Sequence, residues 1–90
     1  MNEIIIKNKF AITVKRINNN TYGCPQFEYS IYTIFGSDTT TFNCINYLVF
    51  SKKLYKGKYS KTKDVFIFTS YDIRKDINNI FTSIENIFNN

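Results

Sequence analysis

Histidine and tryptophan are absent from this chain, alanine occurs once and leucine twice. Without histidine, proton transfer near neutral pH would fall to Asp, Glu, Lys, Tyr or Cys. There are only two cysteines, Cys24 and Cys44. Two widely spaced thiols do not make a disulfide scaffold, and a closed zinc site would need two carboxylates besides. Both are expected as buried small apolar residues, and no metal or cofactor is expected. No apolar run approaches the ~20 residues of a membrane span, and the opening Ile4-Ile5-Ile6 is too short for a signal peptide. These absences lead to an expected cytoplasmic location, or the interior of a host cell if an invading genome encodes the chain, with no membrane partner.

Five residue types fill the space left by the missing ones. Asn, Ile, Lys, Phe and Tyr account for 52 of 90 residues. All five have A/T-rich codons, so the bias is expected to report a low-GC genome, that of a bacterium, its phages or plasmids, or some viruses and protists, before it reports a function. At 43% hydrophobic and net charge +5 the composition is that of a globular protein. Ninety residues suffice for one domain, 1–90, with one modest core.

The expected architecture is α+β, about four mainly antiparallel strands with one C-terminal helix. The first strand is read over 3–17. Ile4, Ile6, Phe10, Ile12 and Val14 alternate with Lys7, Lys9, Thr13 and Lys15, giving one apolar and one basic face with a kink at Asn8. A turn of several residues follows, rich in Asn and carrying Gly23 and Pro25. A second strand spans 27–35, and Gly36-Ser37-Asp38 suits a tight hairpin turn. The third strand is placed at 40–50, with Phe42, Cys44, Leu48 and Phe50 on one face. The alternative order, ββαβα, makes 39–56 helical with Asp38 as its cap and Gly57 as its stop. The fourth strand, 64–70, is apolar on both faces. From Ile73 the period changes. Ile77, Ile80, Phe81, Ile84, Ile87 and Phe88 continue one helical stripe over 72–88, capped by Asp72.

One such helix, about 25 Å long, cannot cover both faces of the sheet. The second face is expected to carry Tyr32, Ile34, Ile45, Tyr47 and Val49 beside Lys7, Lys9, Thr13 and Lys15. An apolar and aromatic patch rimmed by lysine is a candidate partner surface, and a homodimer would also cover it.

Charge is unevenly placed. Residues 39–63 contain no acid and six lysines. With two tyrosines interleaved, the candidate contact set is Lys52, Lys53, Tyr55, Lys56, Lys58, Tyr59, Lys61 and Lys63, expected on a loop over 51–63. Such a loop is either a solvated hairpin loop in a lysine-rich proteome or one that seeks an acidic surface on a protein or nucleoprotein complex. The alternative is direct nucleic-acid binding, with lysines on phosphates and tyrosines on bases. Lysine in place of arginine, and the lack of a Gly-rich phosphate loop, favour the protein partner.

Catalysis finds little support. Asp72 and Asp76 are the only close acidic pair, and both fall in the first turn of a helix, where negative charge offsets the dipole. Cys24 lacks a histidine to activate it. The chain is therefore read as a non-enzyme: a small binding protein, phage- or mobile-element-encoded, that inhibits a host protein or nucleoprotein complex by occupying its surface. Anti-CRISPR proteins are similar in type, and no motif aligns this chain with them. An accessory subunit that assembles through its open sheet face is the third reading.

Overall fold

In the computed structural model, residues 2–35, 41–52 and 58–88 are described. These described residues form six strands and two helices, in the order β1 (Asn2–Lys7), β2 (Phe10–Ile17), β3 (Gln26–Phe35), β4 (Thr41–Cys44), α1 (Asn46–Ser51), β5 (Lys58–Ser60), β6 (Val65–Thr69) and α2 (Ile73–Phe88). All pairings are antiparallel. The sheet runs β1-β2-β3-β6-β5, and β4 pairs with the C-terminal half of β3. The α+β expectation holds, with more strands than the four expected.

The segment read as one kinked strand over 3–17 is a hairpin. Asn8 takes a left-handed backbone, φ 58°, which Asn tolerates better than most residues, and it reverses the chain in two residues with Lys9. Its side chain also donates to Glu85 on α2 at 3.0 Å, tying the turn to the helix. The hairpin inverts the expected faces. Ile5 opposes Ile12 while Ile4 opposes Thr13, and opposed residues share a face. Ile4 and Ile6 therefore leave the core face and are 63% and 53% exposed.

The turn at 18–25 is organised by Asn20, whose side-chain oxygen accepts from the amides of Tyr22 and Cys24, both at 2.9 Å. Gly23 sits at φ 80°, where a side chain would be strained. The connection 36–40, including the expected hairpin turn and the alternative cap Asp38, lies outside the described residues.

Residues 40–50 are not one strand, and the helical alternative over 39–56 is too long. β4 ends at Cys44, and α1 occupies only 46–51. The division has a specific cause. β3 pairs with β6 through residues 26–29 and with β4 through 32–35, leaving a fork at Ile31. Asn46, 1% exposed, fills that fork. Its carbonyl oxygen accepts from the Ile31 amide at 2.7 Å, and its amide donates to the Asp64 carbonyl and to the Ser30 hydroxyl. The Ile31 carbonyl accepts from the Ile45 amide at 2.8 Å. Both orphaned peptide groups of β3 are thus satisfied where the ladder changes partner. Ile45 and Val49, expected on the second face, point into the core instead.

α2 begins where the sequence pattern places it. The Asp72 carboxylate accepts from the Lys75 amide at 3.2 Å, and the Ser70 hydroxyl donates to Asp76 in the first turn. Ile77, Ile80, Phe81 and Ile84 pack onto Phe10, Ile12, Val14, Phe27, Tyr29, Ile31 and Phe66. Burying each such side chain contributes about 1.5–3 kcal/mol, enough to hold an Ile-rich helix of mediocre intrinsic propensity. No helix among the described residues is long and apolar enough to cross a membrane.

Candidate partner-binding surface

Helix α2 covers one face of the sheet, and strand alternation decides what remains on the other. The register places Ile4 and Ile6 of β1, Ala11, Thr13 and Lys15 of β2, and Glu28, Ser30, Tyr32 and Ile34 of β3 on the open side. Beyond β3, on the side away from β2, Phe42 and Cys44 of β4 extend it at one end of the fork, and Ile67 of β6 with Lys58 of β5 at the other.

The open face grades from apolar to charged. At one end Ile6, Ala11 and Tyr32 lie in a row, and Ile34 and Phe42 form the next. The Tyr32 ring meets Phe42 edge-on, centroids 6.1 Å apart, and Phe42 remains 41% exposed. At the other end Lys15 opposes Glu28, which opposes Ile67, which opposes Lys58. The Lys63 ammonium stands 3.6 Å from the Glu28 carboxylate. Three lysines around one glutamate leave this end positive.

The expected contact residues are divided among several places. Lys58 and Lys63 border the open face, and Lys61 is exposed in the turn after β5. Lys52 ends α1 on the helix side, its ammonium 5.6 Å from the centre of the Phe88 ring. Lys53, Tyr55 and Lys56 lie outside the described residues. The expected single loop over 51–63 is corrected, because it begins with the end of α1 and contains β5.

Tyr59 faces the helix side. Its ring stacks on Phe50 with centroids 4.5 Å apart and leans on Phe66, and its hydroxyl donates to Asp64. Of the second-face group, Lys15 and Tyr32 are on the open face. Lys7 shares the helix side with Phe10, Lys9 is in the hairpin turn, and Tyr47 is 66% exposed on α1. Sequence reasoning missed Ile4, Ile6 and Phe42. Recognition of Asn8-Lys9 as a two-residue turn would have found the first two.

Cys44 is exposed and Cys24 half-buried, so neither is the fully buried thiol expected. Asp64, itself left-handed at φ 52°, receives both the Tyr59 hydroxyl and, at 3.9 Å, the Cys44 thiol. Although Cys44 is exposed as a residue, partial burial of its sulfur pushes the thiol up, and the Asp64 charge adds to that. The bond to Asp64 pushes Tyr59 up to about 12. Both groups therefore keep their protons at neutral pH, which suppresses thiolate attack. Among the described residues no three His, Cys, Asp or Glu side chains gather as a metal site.

No protein-family model, curated protein or solved structure matches this chain.

Proposed function

We propose that this chain is a small non-enzymatic binding protein that inhibits by occupying the surface of a larger protein or nucleoprotein complex. Its excess of residues with A/T-rich codons suits a phage or mobile element, and in type it is close to the anti-CRISPR proteins. The observation that supports this reading is the sheet face that no described element covers, with Tyr32 and Phe42 beside the buried Ile34 at one end and Lys15, Lys58 and Lys63 at the other. An aromatic anchor beside a positive rim fits a partner that offers an apolar depression bordered by carboxylates.

The test is affinity capture from a low-GC bacterial lysate with three baits: the native chain, Phe42→Glu, and the triple change of Lys15, Lys58 and Lys63 to Glu. The reading expects a protein whose recovery falls at least about tenfold with Phe42→Glu and also falls with the triple change. Equal recovery by all three baits would sink it. Nucleic-acid binding is less favoured, since one face of the Tyr59 ring is taken by Phe50 and its hydroxyl by Asp64. A gel shift that weakens steeply with salt would reverse that preference.

A further inference from the structure

β1 borders the sheet, pairing with β2 on one side only among the described residues. The direction of its free peptide groups follows from its neighbours. The Ile34 amide donates to the Lys9 carbonyl at 2.7 Å, so the odd residues of β2 turn their peptide groups toward β3. Phe10, Ile12 and Val14 therefore turn theirs toward β1, where they oppose Lys7, Ile5 and Glu3. The peptide groups of Ile4 and Ile6 point outward, away from the sheet. Their side chains are also the most exposed aliphatic ones on the open face, at 63% and 53%. Exposed edges usually carry a proline, a bulge or an inward charge against unwanted pairing. Ile4-Ile5-Ile6 itself carries no proline, bulge or charge, and the helix-side charges of β1, Glu3 and Lys7, stand only at its two ends.

The flanking charges make this edge complementary to itself. In Glu3-Ile4-Ile5-Ile6-Lys7, an antiparallel pairing centred on Ile5 sets Glu3 of one copy against Lys7 of the other, twice by symmetry. It also sets Ile4 against Ile6, and these are the residues whose peptide groups point outward. Each of those two pairs can exchange both backbone hydrogen bonds. No neighbouring register does as well. A slip of one residue matches outward groups with inward ones and reverses the faces. A slip of two sets Glu3 or Lys7 against Ile5 and breaks the Glu3–Lys7 pairs, and the only replacement, Glu3 against Lys9 in one direction, falls on a turn residue outside the strand.

On the helix side, Glu3, Ile5, Ile73, Arg74 and Ile77 line a groove of about 460 Å³ between β1 and α2. Ile5 and Lys7 of the second copy would arrive beside it. We infer that two copies of this chain pair isologously through β1, centred on Ile5, joining two six-stranded sheets into one continuous sheet. The open faces stay uncovered and become one doubled surface. A partner that is itself symmetric could engage both halves.

Light scattering on the native chain, Glu3→Lys, Lys7→Glu and the double variant tests the pairing and its register together. The native chain is expected at twice the 10.6 kDa of one copy. Each single variant places like charges at both ends of the seam and weakens the dimer about ten- to thirtyfold. The double variant restores it. Both changed residues, Glu3 and Lys7, are exposed, so folding is retained. A native chain that is monomeric at every soluble concentration overturns the inference and leaves the partner reading intact. A dimer indifferent to the single variants, or a double variant no better than they are, overturns the β1 seam.

Discussion

The two faces of this sheet are built from the same residue types and do different work. The covered face buries Phe10, Phe27, Tyr29 and Phe66 against the isoleucines of α2. The open face carries Ile4, Ile6, Tyr32 and Phe42, and three of these four are more than a third exposed. A composition skewed to Ile, Phe and Tyr puts apolar side chains on both sides, and one 16-residue helix shields only one. Hydrophobic content alone therefore does not separate core from contact surface in this chain. Strand parity and helix position do.

The largest expected effect lies under the helix. Ile80→Ala, at a site 1% exposed, should cost about 2–5 kcal/mol in urea unfolding, because the packed surroundings cannot collapse into the space. Next comes the fork. Asn46→Ala leaves the Ile31 amide and the Asp64 carbonyl without their partner, for about 2–4 kcal/mol in the same assay. Asp72→Ala removes the first-turn acceptor and should cost about 1 kcal/mol, read as a lower midpoint with an unchanged slope.

The smallest effect is a pH dependence. The Tyr59 hydroxyl is pushed from its ordinary 10 up to about 12 by its bond to Asp64. A raised value means that the protonated form is favoured in the folded state. The resulting stabilisation is fully present below pH 10 and is lost as pH rises toward 12. Tyr59→Phe should remove that part of the alkaline decline, visible as a difference in unfolding midpoint between the two proteins across this interval. Parallel alkaline curves would show that the bond contributes nothing.

Much of this comparison was legible in the sequence, but unevenly. The stripe from Ile73 to Phe88 and its Asp72 cap were plain, because helical period and capping chemistry are local properties. β3 was equally plain. The hairpin at Asn8 was hidden by its own regularity. A two-residue turn places even residues of one strand opposite odd residues of the next, so an unbroken alternation over 3–17 reads as one strand while its faces have exchanged. The strand and helix readings of 39–56 each held a part, Thr41–Cys44 and Asn46–Ser51. What separates them is the contact of Asn46 with a gap in β3, a long-range fact that no local pattern carries. The acid-free lysine segment was visible as charge, but its division between the open face and the Phe88 side depends on where β5 pairs.

The most direct test of the difference between the faces uses one residue type on both. Phe66 is 1% exposed beneath α2, and Phe42 is 41% exposed on the open side. Urea unfolding of Phe66→Ala and Phe42→Ala, measured side by side, should show losses of about 3–5 kcal/mol for the first and below about 1 kcal/mol for the second. Equal losses would contradict the account, since they would make the open face part of the folding core rather than a surface left for a partner.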